Sequence, residues 1–417
     1  MTLSINNKRL FYIYATISFV LMCVSNRVLY TRNIPDLLLL FIYILQVGFF
    51  FILCANSRTS TSIKMMMLCV GVIYVLLYIK HPDNNYFRAI ASFAGFANIA
   101  CVLLLSRMDK FKLLEFITNV LTCILAISVV CWTFRLMGYA FPVFEYVDLQ
   151  NDLHHLNNCY VFYESTDILS VVFPRFRGIF IEPGQLATPC VFLFFARGAK
   201  IKDWKNAILL VCILLSFSLA GYVCLLIGLF LKYLFTKGKA RIVYILGFVL
   251  IIGTVSFYSI KYTNSDDPFV SFIIERLEYD EELGISGNNR TDYEFDTHFD
   301  QYIKSGKILF GMGDEIPIGY ASWTNHASGI KKFFVNCGML GIITMIVLTI
   351  MLLKRNYCRQ SLVFFIVIWL GFIVRDMLQT QFWLIIAILG FFNIKDIYLK
   401  DNIDSYNRRL DKLGVKK

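Results

Sequence analysis

The feature that most constrains this chain is the recurrence of long apolar runs, near residues 10–25, 35–55, 63–79, 88–105, 111–133, 184–199, 206–219, 220–235, 242–260, 329–353, 361–374 and 380–394. A helix needs about 20 apolar residues to cross roughly 30 Å of hydrocarbon, and with its flanks each run approaches that length. Hydrophobic residues make up 58% of the sequence and charged residues only 17%. A soluble chain of 417 residues could bury that much apolar surface only by leaving little to face water, so an integral membrane protein is expected.

The run from Asn206 to Phe235 is interrupted by Ser216, Ser218 and Gly221, and reading it as two short spans makes the total about twelve. That reading, with the amino terminus inside, concentrates Lys and Arg on the cytoplasmic side, whereas fusing the two spans reverses everything after them and loses the asymmetry. The expected fold is therefore all-α and polytopic, with both termini cytoplasmic. Its parts are transmembrane helices in 1–134, a first large outer loop in 135–183, further helices in 184–260, a second large outer loop in 261–328, the last helices in 329–394 and a cytoplasmic tail in 395–417. The first run follows Lys8 and Arg9 and carries no small-residue cleavage pattern, so it is expected to be retained as a span.

The net charge of +11 then belongs mainly to the cytoplasmic rim, opposite anionic lipid, and implies no nucleic-acid partner. Cys23, Cys54, Cys69, Cys101, Cys131, Cys212 and Cys224 lie in apolar runs without the spacing of a metal site and read as small buried hydrophobes. Cys159 and Cys337 fall towards the outer side, where a disulfide is chemically possible.

Polar chemistry gathers in the two outer segments. Arg175, Arg177 and Glu182 stand around Gly178 and immediately before Pro183 and Gly184. Pro183 suits a first helical turn, and a carboxylate there is favoured by the helix dipole. Arginine's rigid fork of donors suits a diphosphate, and the other reading of the cluster is a juxtamembrane salt bridge. Arg290 follows a Gly-Asn turn near Tyr293, and either binds an anion or is neutralised by Asp292 or Glu294. His326 could orient or deprotonate a hydroxyl, or simply bond to backbone at the interface. His154 and His155 lack a matching ligand set, Gly311 and Gly313 read as a tight turn, and Arg375 with Asp376 reads as an exposed pair. No cofactor or metal is signalled.

The runs Arg177–Ala187, Leu214–Tyr222 and Ile308–Gly313, then His326 followed by Gly338–Gly341, resemble the O-antigen and capsular polysaccharide polymerases, relatives of the O-antigen ligases. Ala327 stands where the ligases carry Asn, Ser or Gln, which sets the chain nearer the polymerases. The resemblance implies a GT-C-like glycosyltransferase of a bacterial cytoplasmic membrane, acting without a metal in capsule or lipopolysaccharide biosynthesis, its site facing the periplasm or exterior. It would move a growing glycan from undecaprenyl diphosphate onto a new lipid-linked repeat unit. Arg175, Arg177, Arg290 and Tyr293 would hold the donor, and Glu182 or His326 would serve the acceptor hydroxyl. Implied partners are the lipid-linked oligosaccharide and growing glycan, bilayer lipids, a chain-length regulator and a flippase. The alternatives are a ligase acting on lipid A-core, a multi-span transporter or polysaccharide flippase, and a membrane scaffold.

Overall fold

A computed structural model describes residues 8–25, 28, 34–56, 59–79, 86–149, 154–165, 175–235, 279–280, 284–285, 293–312, 329–375, 378 and 380–412. The helices described are α1 (Lys8–Ser25), α2 (Asp36–Asn56), α3 (Thr61–Ile79), α4 (Tyr86–Leu104), α5 (Arg107–Leu136), α6 (Pro183–Ala196), α7 (Trp204–Leu215), α8 (Leu219–Leu234), α9 (Tyr293–Lys304), α10 (Gly329–Arg355), α11 (Arg359–Val374) and α12 (Gln381–Lys412). The strands are β1 (Glu145–Leu149), β2 (His154–Asn158), β3 (Tyr163–Ser165), β4 (Tyr279–Asp280) and β5 (Gly284–Ile285).

The bundle is built around α6, whose residues are buried along its whole length. Its sequence is apolar on every side, which suits a helix with protein all round it, and it packs against α7, α8, α11 and α12. Outer helices behave differently. On α2, Leu37, Phe41, Ile44, Phe51 and Ile52 form an exposed stripe, and on α10 Met339, Ile343, Ile346, Val347 and Ile350 do the same. Water would not tolerate two such large apolar faces, whereas acyl chains suit them. The chain is a multi-span membrane protein.

Twelve full-length spans are not what the described helices provide. Four of them, Lys8–Ser25, Asp36–Ala55, Arg107–Leu136 and Gly329–Arg355, are long and apolar enough to cross a membrane. The apolar stretches of the others, such as Thr61–Leu77, Ala89–Leu104 and Gln381–Lys395, are shorter. At about 1.5 Å per residue these fall short of the hydrocarbon thickness. An apolar run is not a helix length: α6 ends where Gly198 and Ala199 take positive φ, and α7 ends at the Ser216–Ser218 turn. The all-α, twelve-helix, GT-C-like expectation is corrected accordingly. The polar segment 135–183 also contains a three-stranded antiparallel sheet in the order β1-β2-β3, with Val147 opposite Leu156 and Asn157 opposite Glu164.

Polar links fix how helices meet inside the bundle. Ser18 Oγ donates to Asn98 Oδ1 at 2.7 Å, and Asn98 Nδ2 donates to Gln381 Oε1 at 2.9 Å, tying α1, α4 and α12 together. In an apolar surrounding such amide bonds specify which helix faces meet. Cys159 and Cys337 are both buried and are not joined in a disulfide.

Candidate functional site

One end of the bundle collects the amino terminus of α6, the α7–α8 turn and the carboxyl terminus of α11. The segment Arg175–Glu182 threads between them as an irregular turn. Its apolar members point inward: Phe176 and Phe180 are buried, Phe176 meeting Trp132 edge-on with ring centroids 5.4 Å apart and Phe180 meeting Phe382 at 5.7 Å. Backbone bonds hold the rest. Phe176 N donates to Leu215 O at 3.0 Å, and Tyr163 N donates to Gly178 O at 2.9 Å, joining the segment to α7 and to β3.

The arginines are directed by this turn. Arg175 donates from Nε to Ser216 O at 3.2 Å and from Nη2 to Phe217 O at 2.8 Å, so it closes the carbonyl end of α7. Arg177 Nη1 donates to Ile181 O at 2.9 Å. Glu182 is the N-cap of α6, with extended φ/ψ and Pro183 following, yet its side chain makes no capping bond. Its carboxylate instead pairs with Nη1 of Arg375.

Arg375 is the residue that sequence reasoning misplaced. It is buried rather than exposed, at 7%; Asp376, the other half of the expected pair, lies outside the described residues. Its guanidinium lies against Gly184, where any side chain would collide with Nη2, Cζ and Nε. Among the described residues its buried Nε has no hydrogen-bond partner, and neither has Oε1 of Gln185 one turn into α6. The available signal was chemical: an arginine ending one apolar run just before another is costly unless paired, and Glu182 is a carboxylate at a comparable depth.

The structure thus gathers Arg175, Arg177 and Glu182 at the start of α6 and adds Arg375. Arg290 and His326 lie outside the described residues, and Tyr293 is the first residue of α9.

A second feature of the same end is a broken helix. Within α10, Gly338 has φ 66° and ψ −169°, so the hydrogen-bond ladder stops and restarts there. Residues 308–312 fill the gap: Met339 N donates to Ile308 O at 2.8 Å, Leu340 N to Leu309 O at 3.0 Å, and Met312 N to Val335 O at 2.6 Å. Donors and acceptors orphaned by the break are satisfied by a neighbouring strand of loop. Tyr302 and Val335 form a small core of their own with Phe299, Met312 and Phe334 packed against it, fastening α9 to the first half of α10. Phe333 on that half meets Phe372 at 5.2 Å, one turn before Arg375.

The opposite end holds a network of charges. Glu115 on α5 pairs with Arg197 and, at 2.9 Å, with Lys205, and Arg197 also pairs with Asp203. Burial works to raise the Asp203 carboxyl, but the hydrogen bond and charge of Arg197, with help from Lys205, outweigh it and hold the group below the usual carboxylate range.

The chain matches no family model, no curated protein and no solved structure. The polysaccharide-polymerase expectation and its ligase alternative are corrected on two counts. The four long apolar helices among the described residues do not supply the twelve-span GT-C-like scaffold on which that transfer depended; the expected span at 242–260 lies outside the described residues. Nor does any match tie the chain to O-antigen, capsule or lipopolysaccharide proteins or to glycosyltransferases.

Proposed function

We propose that this membrane protein binds the phosphate or diphosphate end of a polyprenyl-linked molecule at the start of α6, where Arg375 pairs with Glu182 and the adjoining turn carries Arg175 and Arg177. The observation that carries the reading is Arg375: a guanidinium 7% exposed, seated on Gly184 at a helix amino terminus, with a buried Nε that no described residue satisfies. An anionic oxygen is the natural partner for that N–H, and the positive end of the α6 dipole favours the same charge. Glu182 holds the guanidinium in place without neutralising the cluster.

An acyl-chain-facing bundle supplies the setting for a lipid-borne ligand, since the polyprenyl tail can stay in the bilayer while its head reaches the arginines. We place this end at the outer face of a bacterial cytoplasmic membrane. The described residues Lys8, Arg9, Arg107, Lys112, Lys200, Lys202, Lys354 and Arg359 stand towards the opposite end and are exposed, the distribution expected of a cytoplasmic rim.

The test uses the full chain in phosphatidylcholine nanodiscs, with undecaprenyl phosphate, undecaprenyl diphosphate and undecaprenol added separately. The two phosphorylated lipids raise the melting temperature and the alcohol does not, and Arg175→Ala combined with Arg177→Ala weakens the effect at least about tenfold, as loss of two charge-assisted contacts requires. Equal stabilisation by the alcohol, or full binding by the double variant, overturns the reading.

A further inference from the structure

The connection between α6 and α7, the seven residues 197–203 at the bundle's basic end, is held with unusual completeness. Arg197, its side chain 8% exposed, turns inward to Glu115 and Asp203, while Asp203 caps α7 by accepting from Lys205 N at 3.0 Å. Lys232 reaches across from α8 and donates to Gly198 O at 2.8 Å and Ala199 O at 2.9 Å. Asn206 Nδ2 donates to Lys200 O at 3.0 Å, and Asp203 N donates to the same carbonyl at 3.1 Å. Two consecutive residues, Gly198 and Ala199, adopt positive φ, and for Ala199 that conformation is unfavourable. The backbone carbonyls of 198–200 and the side chains of Arg197, Asp203, Asn206 and Lys232 are therefore all committed to shaping one tight loop.

What the loop presents outward is an alternation of charge and apolar surface. Lys200, Ile201, Lys202 and Trp204 are exposed, Ile201 and Trp204 each to 55%. Met108 and Phe111 are exposed alongside Arg107 and Lys112 on the adjoining end of α5, which Glu115 ties to the loop. Trp and long aliphatic side chains favour the headgroup boundary, and lysines beside them favour anionic headgroups. A soluble acidic partner would have no use for Ile201 and Trp204 at the level where the apolar helices end.

We propose that the Lys200–Trp204 loop is a preformed binding site for anionic phospholipid headgroups, in which Ile201 and Trp204 enter the interfacial layer and Lys200 and Lys202 contact phosphate. Because the loop is already ordered by its inward bonds, binding loses little conformational freedom. The site lies at the end of the bundle opposite Arg375 and is independent of the polyprenyl-phosphate reading.

Native mass spectrometry of the full chain, exchanged from mixed phosphatidylglycerol and phosphatidylcholine into detergent, tests it. Phosphatidylglycerol is retained in preference to phosphatidylcholine, and retention falls about fivefold for each lysine removed in Lys200→Gln and Lys202→Gln. Trp204→Ala lowers retention of both lipids. Lys304→Gln with Lys307→Gln, which removes two charges at the other end, leaves retention unchanged. Glutamine keeps the loop's backbone bonds, and an unaltered melting temperature in detergent verifies the fold. Equal retention of the two phospholipids, or an equal loss in the Lys304/Lys307 variant, overturns the proposal.

Discussion

Glu182 and Arg375, 193 residues apart in the chain, form an ion pair that joins the first turn of the central helix to the end of α11. The guanidinium is the buried partner and the carboxylate the half-exposed one, so the two substitutions are not equivalent. Glu182→Gln leaves a buried positive charge without its anion and lowers stability by about 1–4 kcal/mol, between the values for exposed and buried pairs. Changing both residues to Gln costs less than the sum of the single changes, a coupling that thermal unfolding in detergent reads directly.

The break in α10 separates two effects that usually travel together. Gly306 and Gly338 both have positive φ, 72° and 66°, but a Cβ at Gly306 has nothing within 4 Å whereas one at Gly338 would sit 2.5 Å from Leu309 O. Gly306→Ala is expected to cost about 1–2 kcal/mol from conformation alone. Gly338→Ala adds a backbone collision and is expected to cost about 2–5 kcal/mol, with residues 305–312 becoming sensitive to limited proteolysis. Equal stability of the two variants would show that the loop does not dock into the gap.

Asp203 supplies a pH dependence with a defined sign. Its carboxyl titrates lower in the folded protein than in the unfolded chain, so the ionised form favours folding. That contribution is fully present above the ordinary carboxylate value of about 4 and is lost as pH falls through the lower folded value. The stability difference between the native chain and Asp203→Asn is expected to stay constant from about pH 7 to pH 5 and to close at more acid pH. A gap that widens on acidification would contradict the pairing with Arg197.

Burial pushes the Cys159 thiol up to about 11, the Glu164 carboxylate adds to the rise, and Arg135 opposes it. Little thiolate then exists near neutral pH, and the nucleophile is the thiolate. Maleimide labelling at pH 7.5 is expected to be slow and to accelerate in Glu164→Gln. Mass spectrometry without reductant is expected to find no disulfide between Cys159 and Cys337.

The membrane character of the fold was legible from apolar runs, and so was the start of α6: Pro183 does occupy the first turn, with Glu182 as the residue before it. The break between α7 and α8 was legible as well, because Ser216, Ser218 and Gly221 interrupt the apolar run where one helix ends and the next begins. Span length was not, because flanking residues that would lengthen a run can lie in a turn instead, as Gly198 and Ala199 do after α6. Arg375 and the Gly338 break escaped for a related reason. Both are defined by a partner far along the chain, Glu182 in one case and residues 308–312 in the other, and local pattern carries no information about which distant segment arrives. The sheet in 145–165 was missed because its strands are short and polar, with His154 and His155 beginning one of them, so period-two alternation never develops.

The enclosure of Pro183–Ala196 on every side has an evolutionary and practical corollary. Most helices tolerate drift along one edge, where a changed residue meets only solvent or lipid. This one has no permissive edge, so a saturation scan should return an unbroken band of intolerant positions, and tags or labels meant to report on the bundle's interior are better carried by the helices that surround it.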